Sequence, residues 1–339
     1  MEKSFINGLK KHLASPKKIV ILPHRNPDGD ALGSTLALNH FLIQFKHTVN
    51  VISPNDYPSF LKWLPGESNI LKYSHAPSKV RRKINEADLI FTLDFNSLSR
   101  VEDLSGLLKK SKGIKIMIDH HESPENFATL NYSDPSMSST SEMIYKVIKA
   151  LDRNAFNKKI SSCLYAGIMT DTGSFSYPST TSETHLTISH LIDLGADGAD
   201  IHQKIYDSSS FSRLKLLGIT LSNMKQVKGL PVVYMTLNEK ELLSCNFRKG
   251  DTEGFVNYGL NLKGIVFSCI MIENSSEGKI KMSFRSQGDF SVNYFAKTYF
   301  NGGGHQNASG GMSLESLENT VIKFKNAIYE ISDQFFKSG

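Results

Sequence analysis

Four short stretches of the sequence carry aspartate and histidine, side chains that bind divalent cations through oxygen and imidazole nitrogen. They are PHRNPDGDALGS (23–34), the end of LIFTLD at Asp94, MIDHHES (117–123) and YAGIMTDTGSF (165–175). One such aspartate by itself is most often a helix cap or a turn residue. The four together indicate a site, because three of the stretches follow apolar runs that are typical of buried strands.

The combined set is better explained by a centre for two divalent cations than by four unrelated turns. Two cations about 3.5–4 Å apart need several oxygen and nitrogen ligands, one of them shared. Holding four carboxylates close together without cations would be costly. The mostly carboxylate set, with no cysteine, favours Mn²⁺ or Mg²⁺ over a structural zinc. The predicted ligands are His24, Asp28, Asp30, Asp94, His120 and Asp171.

A second group of candidate residues lies near the end of the chain and suits an anion. NGGGHQNASGG (301–311) has three successive glycines, whose N–H groups can approach a phosphate closely, and His305 follows them. It is not a P-loop, because GxxxxGK[ST] is missing. A glycine run alone also fits a flexible surface turn. Arg285 in MSFRSQGD is a candidate phosphate ligand, since a guanidinium can donate two parallel hydrogen bonds, but a solvated arginine fits equally well.

Alternating strands and helices in the first half of the chain must position the metal ligands. Strands are predicted at 18–24, 49–53, 87–94 and 114–120, and helices at 31–45, 139–151, 157–169 and 182–194. The apolar runs are continuous, which predicts a parallel sheet covered by helices on both faces. His24, Asp94 and His120 would then meet at the carboxyl edge of the sheet. Asp28 and Asp30 are expected in the loop before a helix, and Asp171 in a bend that folds back towards them.

The second half of the chain predicts a smaller α/β unit with a mixed sheet. A strand is predicted at 230–237, an antiparallel hairpin at 264–274 and 279–286, and helices at 291–300 and 315–336. The length of 339 residues suits two domains. The predicted organisation is α/β: a parallel-sheet catalytic domain (1–194), a helical connector (195–225) and a substrate-binding domain (226–339).

Composition excludes several classes of protein. Hydrophobic residues make up 40% and charged residues 21%, as in globular proteins, and the net charge of +6 suits an anionic substrate but is too small to imply binding of duplex DNA. The three cysteines are scattered, which argues against a disulfide framework or a zinc ribbon and favours the cytoplasm. We expect no signal peptide and no membrane span, because no apolar run approaches ~18 residues.

The motifs as a set resemble those of the DHH phosphoesterases. HRNPDGDALGS, the strand-terminal Asp94, DHH (119–121) and TDTGSF correspond to the four motifs of the catalytic domain. FRSQGDFSVNYFAKTYFNGGGHQNASGG is similar to the signature of the DHH-associated C-terminal domain. The resemblance runs in the right order from about residue 18 to 311, and it is greatest to the NrnA-type nanoRNases.

The resemblance implies a role for each candidate residue. One cation would be held by His24, Asp28 and Asp94, and the other by Asp30, Asp94, His120 and Asp171, so that Asp94 bridges the two. His121 would face the scissile phosphate, pointing away from His120 because neighbouring residues leaving a strand project in opposite directions. Asp119 would orient a neighbouring ligand. The substrate would be bound by Arg100, Arg285, Ser286, Gly302, Gly303, Gly304 and His305.

The implied activity is the hydrolysis of short single-stranded RNA oligonucleotides to mononucleotides, together with removal of the 3′-phosphate of adenosine 3′,5′-bisphosphate (pAp). The expected cofactors are two divalent cations, Mn²⁺ first, with Mg²⁺ or Co²⁺ as alternatives. No obligate protein partner is expected, and a homodimer remains open. Two other hypotheses stay open at this point: a phosphodiesterase for cyclic di-AMP or its linear product pApA, and a nucleotide-binding regulator without catalysis.

Overall fold

The protein consists of two compact units, Met1–Ser208 and Ser209–Gly339. The structure, a computed structural model, describes residues 2–207 and 209–335. The boundary between the units falls inside the segment 195–225 that was expected to connect two domains. Within the described ranges, no helix has the length and apolar character needed to cross a lipid bilayer.

A six-stranded parallel sheet forms the centre of the first unit. Its strands are β1 (Lys18–Leu22), β2 (Thr48–Ser53), β3 (Leu71–Lys72), β4 (Leu89–Leu93), β5 (Ile114–Asp119) and β6 (Leu130–Ser133). They lie in the order β3-β2-β1-β4-β5-β6, and each neighbouring pair is parallel. Strands β1, β4 and β5 are therefore neighbours, and their carboxyl ends, which precede His24, Asp94 and His120, lie side by side.

Helices cover both faces of this sheet. They are α1 (Lys3–Leu13), α2 (Gly29–Leu42), α3 (Pro77–Asn85), α4 (Ser105–Lys110), α5 (Thr140–Leu151), α6 (Lys158–Asp171), α7 (Ser182–Asp193) and α8 (Gly198–Tyr206). Ile19 and Ile21 of β1 belong to the core formed with α1, α2, α5 and α6, whereas Val20 and Leu22 belong to the core formed with α3 and α4. This arrangement confirms the predicted fold class and explains the continuous apolar runs.

A close contact between α2 and α6 brings two distant parts of the chain together. A Cβ atom at Gly33 of α2 would lie only 2.5 Å from the carbonyl oxygen of Cys163 and 3.0 Å from Cα of Gly167, both in α6. Any side chain at Gly33 would therefore force the helices apart. Asp30 in the first turn of α2 and Asp171 at the end of α6 reach the same site because the helices pack this closely.

The second unit has a mixed sheet. Its elements are α9 (Phe211–Ser222), β7 (Lys225–Gln226), β8 (Val232–Leu237), α10 (Glu239–Ser244), β9 (Phe267–Asn274), β10 (Lys279–Ser286), α11 (Val292–Tyr299), β11 (Gly303–Gly304), β12 (Ala308–Ser313) and α12 (Leu317–Glu330). The strand order is β11-β12-β10-β9-β8-β7, in which β8 and β9 are parallel and the other pairs antiparallel. The predicted hairpin is confirmed as β9 and β10.

Two expectations about local structure near the metal ligands were wrong. Helix α2 begins at Gly29, so Asp28 is its N-cap and Asp30 lies inside the first turn rather than in the preceding loop. The Asp28 carboxylate accepts a hydrogen bond from the amide of Ala31 at 3.0 Å, which allows the helix to start this early. Asp171 does not lie in a bend, because α6 continues to it as the last helical residue.

Part of the glycine-rich segment 301–311 is strand rather than loop. Gly303 and Gly304 pair with Gly310 and Ser309 in antiparallel register. A Cβ atom at Gly302 would lie 2.0 Å from the carbonyl oxygen of Gly310, so a side chain there would collide with the neighbouring backbone. Close approach of backbones thus accounts for glycine at positions 302 and 304, independently of any ligand.

Candidate metal centre and active site

The first group of candidate ligands lies beyond the end of β1. Nε2 of His24 lies 3.3 Å from Oδ2 of Asp94 and 3.7 Å from Oδ2 of Asp28. Nδ1 of His24 is 2.8 Å from the carbonyl oxygen of Arg25, so the ring donates there and turns its other nitrogen towards the carboxylates. Among the described residues, this buried Nε2 has no hydrogen-bond partner. A bound cation would satisfy it.

The second group is centred on His120, just past the end of β5. Nε2 of His120 lies 3.2 Å from Oδ2 of Asp171, 3.6 Å from Oδ1 of Asp94 and 4.0 Å from Oδ2 of Asp30. Nδ1 of the same ring is 3.2 Å from the carbonyl oxygen of Met137. The structure thus gathers all six predicted metal ligands into two adjoining groups.

Asp94 belongs to both groups. Its Oδ2 faces His24 and its Oδ1 faces His120, so one carboxylate presents one oxygen to each side. The residue is buried, and its φ of 63° lies in the left-handed region, which is uncommon for a residue other than glycine. Such backbone conformations cluster at functional sites. The arrangement would allow Asp94 to bridge two cations.

The separations of the donor atoms suit divalent cations. Around an octahedral cation with bonds of about 2.0–2.2 Å, ligand atoms are roughly 3 Å apart when adjacent and about 4.2 Å apart when opposite. The distances from His24 to its two carboxylates, 3.3 and 3.7 Å, lie in this interval. So do the distances of 3.2, 3.6 and 4.0 Å from His120 to its three carboxylates. The residues present therefore fit two cations, and their oxygen and imidazole donors suit Mn²⁺ or Mg²⁺.

The pKa values of the two histidines also indicate that the site favours added positive charge. Burial alone would lower the pKa of His24, but Asp28 and Asp94 outweigh it and raise that pKa to about 10. The pKa of His120 likewise rises to about 9, because Asp171, Asp94 and Asp30 outweigh the effect of burial. Protons would occupy these rings until a cation displaces them.

The carboxylates respond to burial and to each other. Burial, together with the charges of Asp94 and Asp171, raises the pKa of Asp30 well above its ordinary value. Burial and the neighbouring charge of Asp94 raise the pKa of Asp171 to about 7, although His120 opposes the shift. Mutual repulsion of this kind is relieved by cations placed between the carboxylates.

The N-terminus of α5 also contacts the site, which the sequence did not predict. Both oxygens of Asp30 accept backbone hydrogen bonds, from the amide of Thr140 at 2.7 Å and from the amide of Ser141 at 2.8 Å. The hydroxyl of Thr140 donates to Oδ1 of Asp94 at 2.9 Å. The available signal was the helix-start pattern SSTSE (138–142), in which Ser139 is the N-cap.

His121 forms a pair with Asp119. Its Nδ1 lies 2.7 Å from Oδ1 of Asp119, and its backbone amide donates to the other carboxylate oxygen at 2.9 Å. Both residues are buried. Donation from Nδ1 to a buried carboxylate fixes the ring orientation and places the second nitrogen, Nε2, for a substrate or a proton. Asp119 therefore fixes the orientation of His121.

The two neighbouring histidines do not project in opposite directions as expected. Their ring centroids are 5.0 Å apart, and both rings lie near Oδ1 of Asp94, at 3.6 Å for His120 and 3.8 Å for His121. Strand β5 ends at Asp119, so the alternation of side chains along a strand no longer governs them. Asn96, which the sequence reading missed, donates to the carbonyl oxygens of His121 and Glu122, each at 3.0 Å, and fixes this turn.

Arg100 lies close enough to His121 for its charge to act on that ring. The pKa of His121 is lowered to about 3 by burial and by the positive charges of Arg100 and His120, against the opposing effect of Asp94. The segment that carries Arg100 is tied to the first metal-ligand loop, because the amide of Arg25 donates to the carbonyl oxygen of Arg100 at 2.8 Å. Arg100 and His121 are thus both at the edge where the candidate metal ligands meet.

The candidate residues of the second unit lie around the β10–β12 edge. Arg285 donates to the neighbouring carbonyl oxygen of Phe284 at 2.9 Å. Ser286 is buried, and its hydroxyl donates to the carbonyl oxygen of Phe290 at 2.6 Å and accepts from Asn307 at 2.9 Å. These contacts hold the turn after β10. The amide of His305 donates to the carbonyl oxygen of Ala308 at 2.8 Å, which closes the turn between β11 and β12.

Most of the chain is similar to known protein families and to proteins that belong to them. Residues 18–168 match the family described as the DHH family, N-terminal domain, and residues 217–334 match the DHHA1 domain. A probable bifunctional oligoribonuclease and PAP phosphatase NrnA of Streptococcus mutans is 30% identical over 306 residues, covering 90% of this chain and 92% of that protein. The cyclic-di-AMP phosphodiesterase GdpP of Bacillus subtilis is 25% identical, covering 98% of this chain but 50% of that protein.

A solved structure extends the similarity to the whole fold. The crystal structure of an exopolyphosphatase-related protein from Bacteroides fragilis has 42% sequence identity and a TM-score of 0.95. The match covers 99% of this chain and 98% of that one.

Proposed function

The chain belongs to the DHH family and is a hydrolase of phosphoester bonds, and we propose that it degrades short RNA oligonucleotides to mononucleotides and removes the 3′-phosphate of pAp. The similarity to an oligoribonuclease and PAP phosphatase over about nine-tenths of both proteins supports this choice of substrates. Mn²⁺ is the proposed cation.

The observation that carries the proposal is the position of Asp94 between two groups of ligands. One of its oxygens lies 3.3 Å from Nε2 of His24 and the other 3.6 Å from Nε2 of His120. A shared carboxylate keeps two cations close enough to act on a single phosphate. When bound, the cations would lower the pKa of the attacking water and neutralise the charge that develops on the phosphate oxygens.

The surrounding side chains have complementary tasks in this proposal. His121, held through Nδ1 by Asp119, presents Nε2 to the substrate, where it would accept a proton from the attacking water and pass that proton to the leaving oxygen. Asp119 stabilises the imidazolium that forms when His121 takes up a proton. Arg100 adds positive charge near His121, where an anionic substrate would bind.

The second unit also carries proposed substrate-binding residues. Arg285 would bind a phosphate, and the segment from Gly302 to His305 would contact the nucleotide through its backbone. The hydroxyl of Ser286 forms hydrogen bonds with Phe290 and Asn307, and Ser286 would thereby hold the turn that follows Arg285.

Replacing one aspartate by asparagine tests the proposal. We expect Asp94→Asn to abolish Mn²⁺-dependent cleavage of an end-labelled diribonucleotide and of pAp, because the bridging charge is lost. Asp88→Asn is the matched control: Asp88 is exposed and lies just before β4, at the opposite end of the strand from Asp94. Cleavage by Asp94→Asn at the rate of the Asp88→Asn control would contradict the proposed site.

A second candidate function keeps the chemistry and changes the substrate. Similarity to the cyclic-di-AMP phosphodiesterase GdpP favours cyclic di-AMP or its linear product pApA, although the chain spans only half of that relative. Initial rates on a diribonucleotide, pApA, cyclic di-AMP and pAp decide between the two. The primary proposal requires the diribonucleotide and pAp to be cleaved faster than the cyclic substrate.

A further inference from the structure

Thr140, the first residue of α5, contacts two buried carboxylates of the site, those of Asp30 and Asp94. Its backbone amide donates to Oδ2 of Asp30 at 2.7 Å, and its hydroxyl donates to Oδ1 of Asp94 at 2.9 Å. Asp30 and Asp94 are only 1% and 2% exposed, and Thr140 is completely buried. Because one residue reaches both carboxylates, it fixes their positions relative to each other.

The Thr140 side chain is itself well fixed. Ser139 caps α5 by accepting a hydrogen bond from the amide of Glu142 at 3.0 Å, which holds the first helical turn in place. A β-branched side chain has few rotamers, so the hydroxyl of Thr140 keeps its direction. The N-terminus of a helix also carries a partial positive charge, which favours the neighbouring carboxylates in their anionic form.

The contact determines which way the Asp94 carboxylate faces. The hydroxyl uses one acceptor position of Oδ1, the oxygen that lies 3.6 Å from His120. With Oδ1 held there, Oδ2 remains on the side of His24, 3.3 Å from Nε2. Without the hydroxyl, the carboxylate would be free to rotate towards either group of ligands.

We propose that Thr140 is a positioning residue for Asp94, holding its carboxylate so that one oxygen faces each cation. The proposal rests on the two-cation site proposed above, and it concerns metal binding before any substrate is present. Loss of an outer partner of a metal ligand typically weakens metal affinity about 10- to 100-fold. Because Asp94 is shared, both binding steps should be affected.

The test compares metal affinity among hydroxyl variants. Thr140→Val keeps the shape and removes the hydroxyl, and we expect its affinity for Mn²⁺ to fall about 10- to 100-fold, measured by titration calorimetry and by the loss of the free Mn²⁺ signal in electron paramagnetic resonance. Thr140→Ser retains the hydroxyl and should recover most of the affinity. Thr35→Val is the matched control, since Thr35 is equally buried and, among the described residues, its hydroxyl bonds to carbonyl oxygens of its own helix.

The outcomes separate this inference from the proposed function. A dissociation constant of Thr140→Val within about twofold of the wild type would overturn the positioning role while leaving the metal site intact. A wild-type protein that binds no Mn²⁺ would overturn the proposed function and this inference with it. Should Thr140→Val fail to fold by circular dichroism, Thr140→Ala removes the same hydroxyl with less bulk and is judged by the same criterion.

Discussion

Removing each of the two neighbouring histidines should have different consequences. Nε2 of His120 faces Asp171 at 3.2 Å and Asp94 at 3.6 Å, so this ring is placed to bind a cation. His121 is tied through Nδ1 to Asp119 at 2.7 Å, so this ring is placed to act on the substrate. We therefore expect His120→Ala to lose metal affinity, and His121→Ala to bind Mn²⁺ normally but turn over slowly.

The magnitudes follow from what each ring contacts. A positioned general acid or base contributes about 10²- to 10⁴-fold to a rate, which corresponds to about 2.7–5.4 kcal/mol for His121→Ala. Its metal affinity should change less than about threefold, a smaller effect than losing even an outer partner of a ligand. Asp119 stays in place in this variant, because the backbone amide at position 121 still donates to it. His120→Ala loses a direct ligand, so its Mn²⁺ affinity should fall by more than about 100-fold.

The assay measures the two properties separately. Calorimetric titration of each variant with MnCl₂ gives the affinity and the number of sites, and single-turnover cleavage of a diribonucleotide at saturating Mn²⁺ gives the rate. Asp119→Asn should resemble His121→Ala, because it acts through the orientation of that ring. Loss of a Mn²⁺ site in His121→Ala would refute this division of tasks. So would a cleavage rate of His120→Ala that, with both metal sites filled, is still as low as that of His121→Ala.

Two further predictions concern the metal centre and the packing behind it. The pKa values of His24 and His120 are raised to about 10 and about 9, so protons compete with Mn²⁺ for these rings at neutral pH. The affinity for Mn²⁺ should therefore rise with pH up to these values. Calorimetry in buffers of different ionisation enthalpy should show that Mn²⁺ binding releases protons. Mn²⁺ binding without proton release would contradict this prediction. Gly33→Ala should lower the free energy of unfolding by about 1–3 kcal/mol, because its Cβ would lie 2.5 Å from a carbonyl oxygen of α6. Gly106→Ala, with open space around it, should not destabilise; equal denaturation midpoints for the two would refute the steric argument.

The sequence was informative where burial and residue type act locally. The continuous apolar runs correctly predicted strands covered on both faces, because a strand inside a parallel sheet has no polar side. Aspartate or histidine after three such runs then located His24, Asp94 and His120 at one edge, since parallel strands all end on the same side. The grouping of the six candidate ligands followed from this topology rather than from any single motif.

Contacts between distant segments could not be read in the same way. Thr140 lies 110 positions from Asp30 in the chain, and nothing in SSTSE states which carboxylate its amide will meet. The end of α6 at Asp171 depends on packing against α2, which local propensity does not contain. The sequence suggested that the glycines near residue 303 form a ligand-binding loop or a turn. In the structure they pair with β12, and the position of β12 depends on the whole sheet.

The backbone at Asp94 explains why asparagine is the informative substitution there. A left-handed conformation costs a typical non-glycine residue about 1–2 kcal/mol, and aspartate and asparagine tolerate it better than other side chains. Here the amide of Asp94 donates to the carbonyl oxygen of Ile118 at 3.1 Å, which holds the strained residue at the end of β4. Glycine would relieve the strain but remove the carboxylate, and alanine would combine increased strain with loss of charge. Asparagine keeps the shape, the φ tolerance and an oxygen that can accept from Thr140, so a loss of metal in Asp94→Asn reports the bridging charge itself.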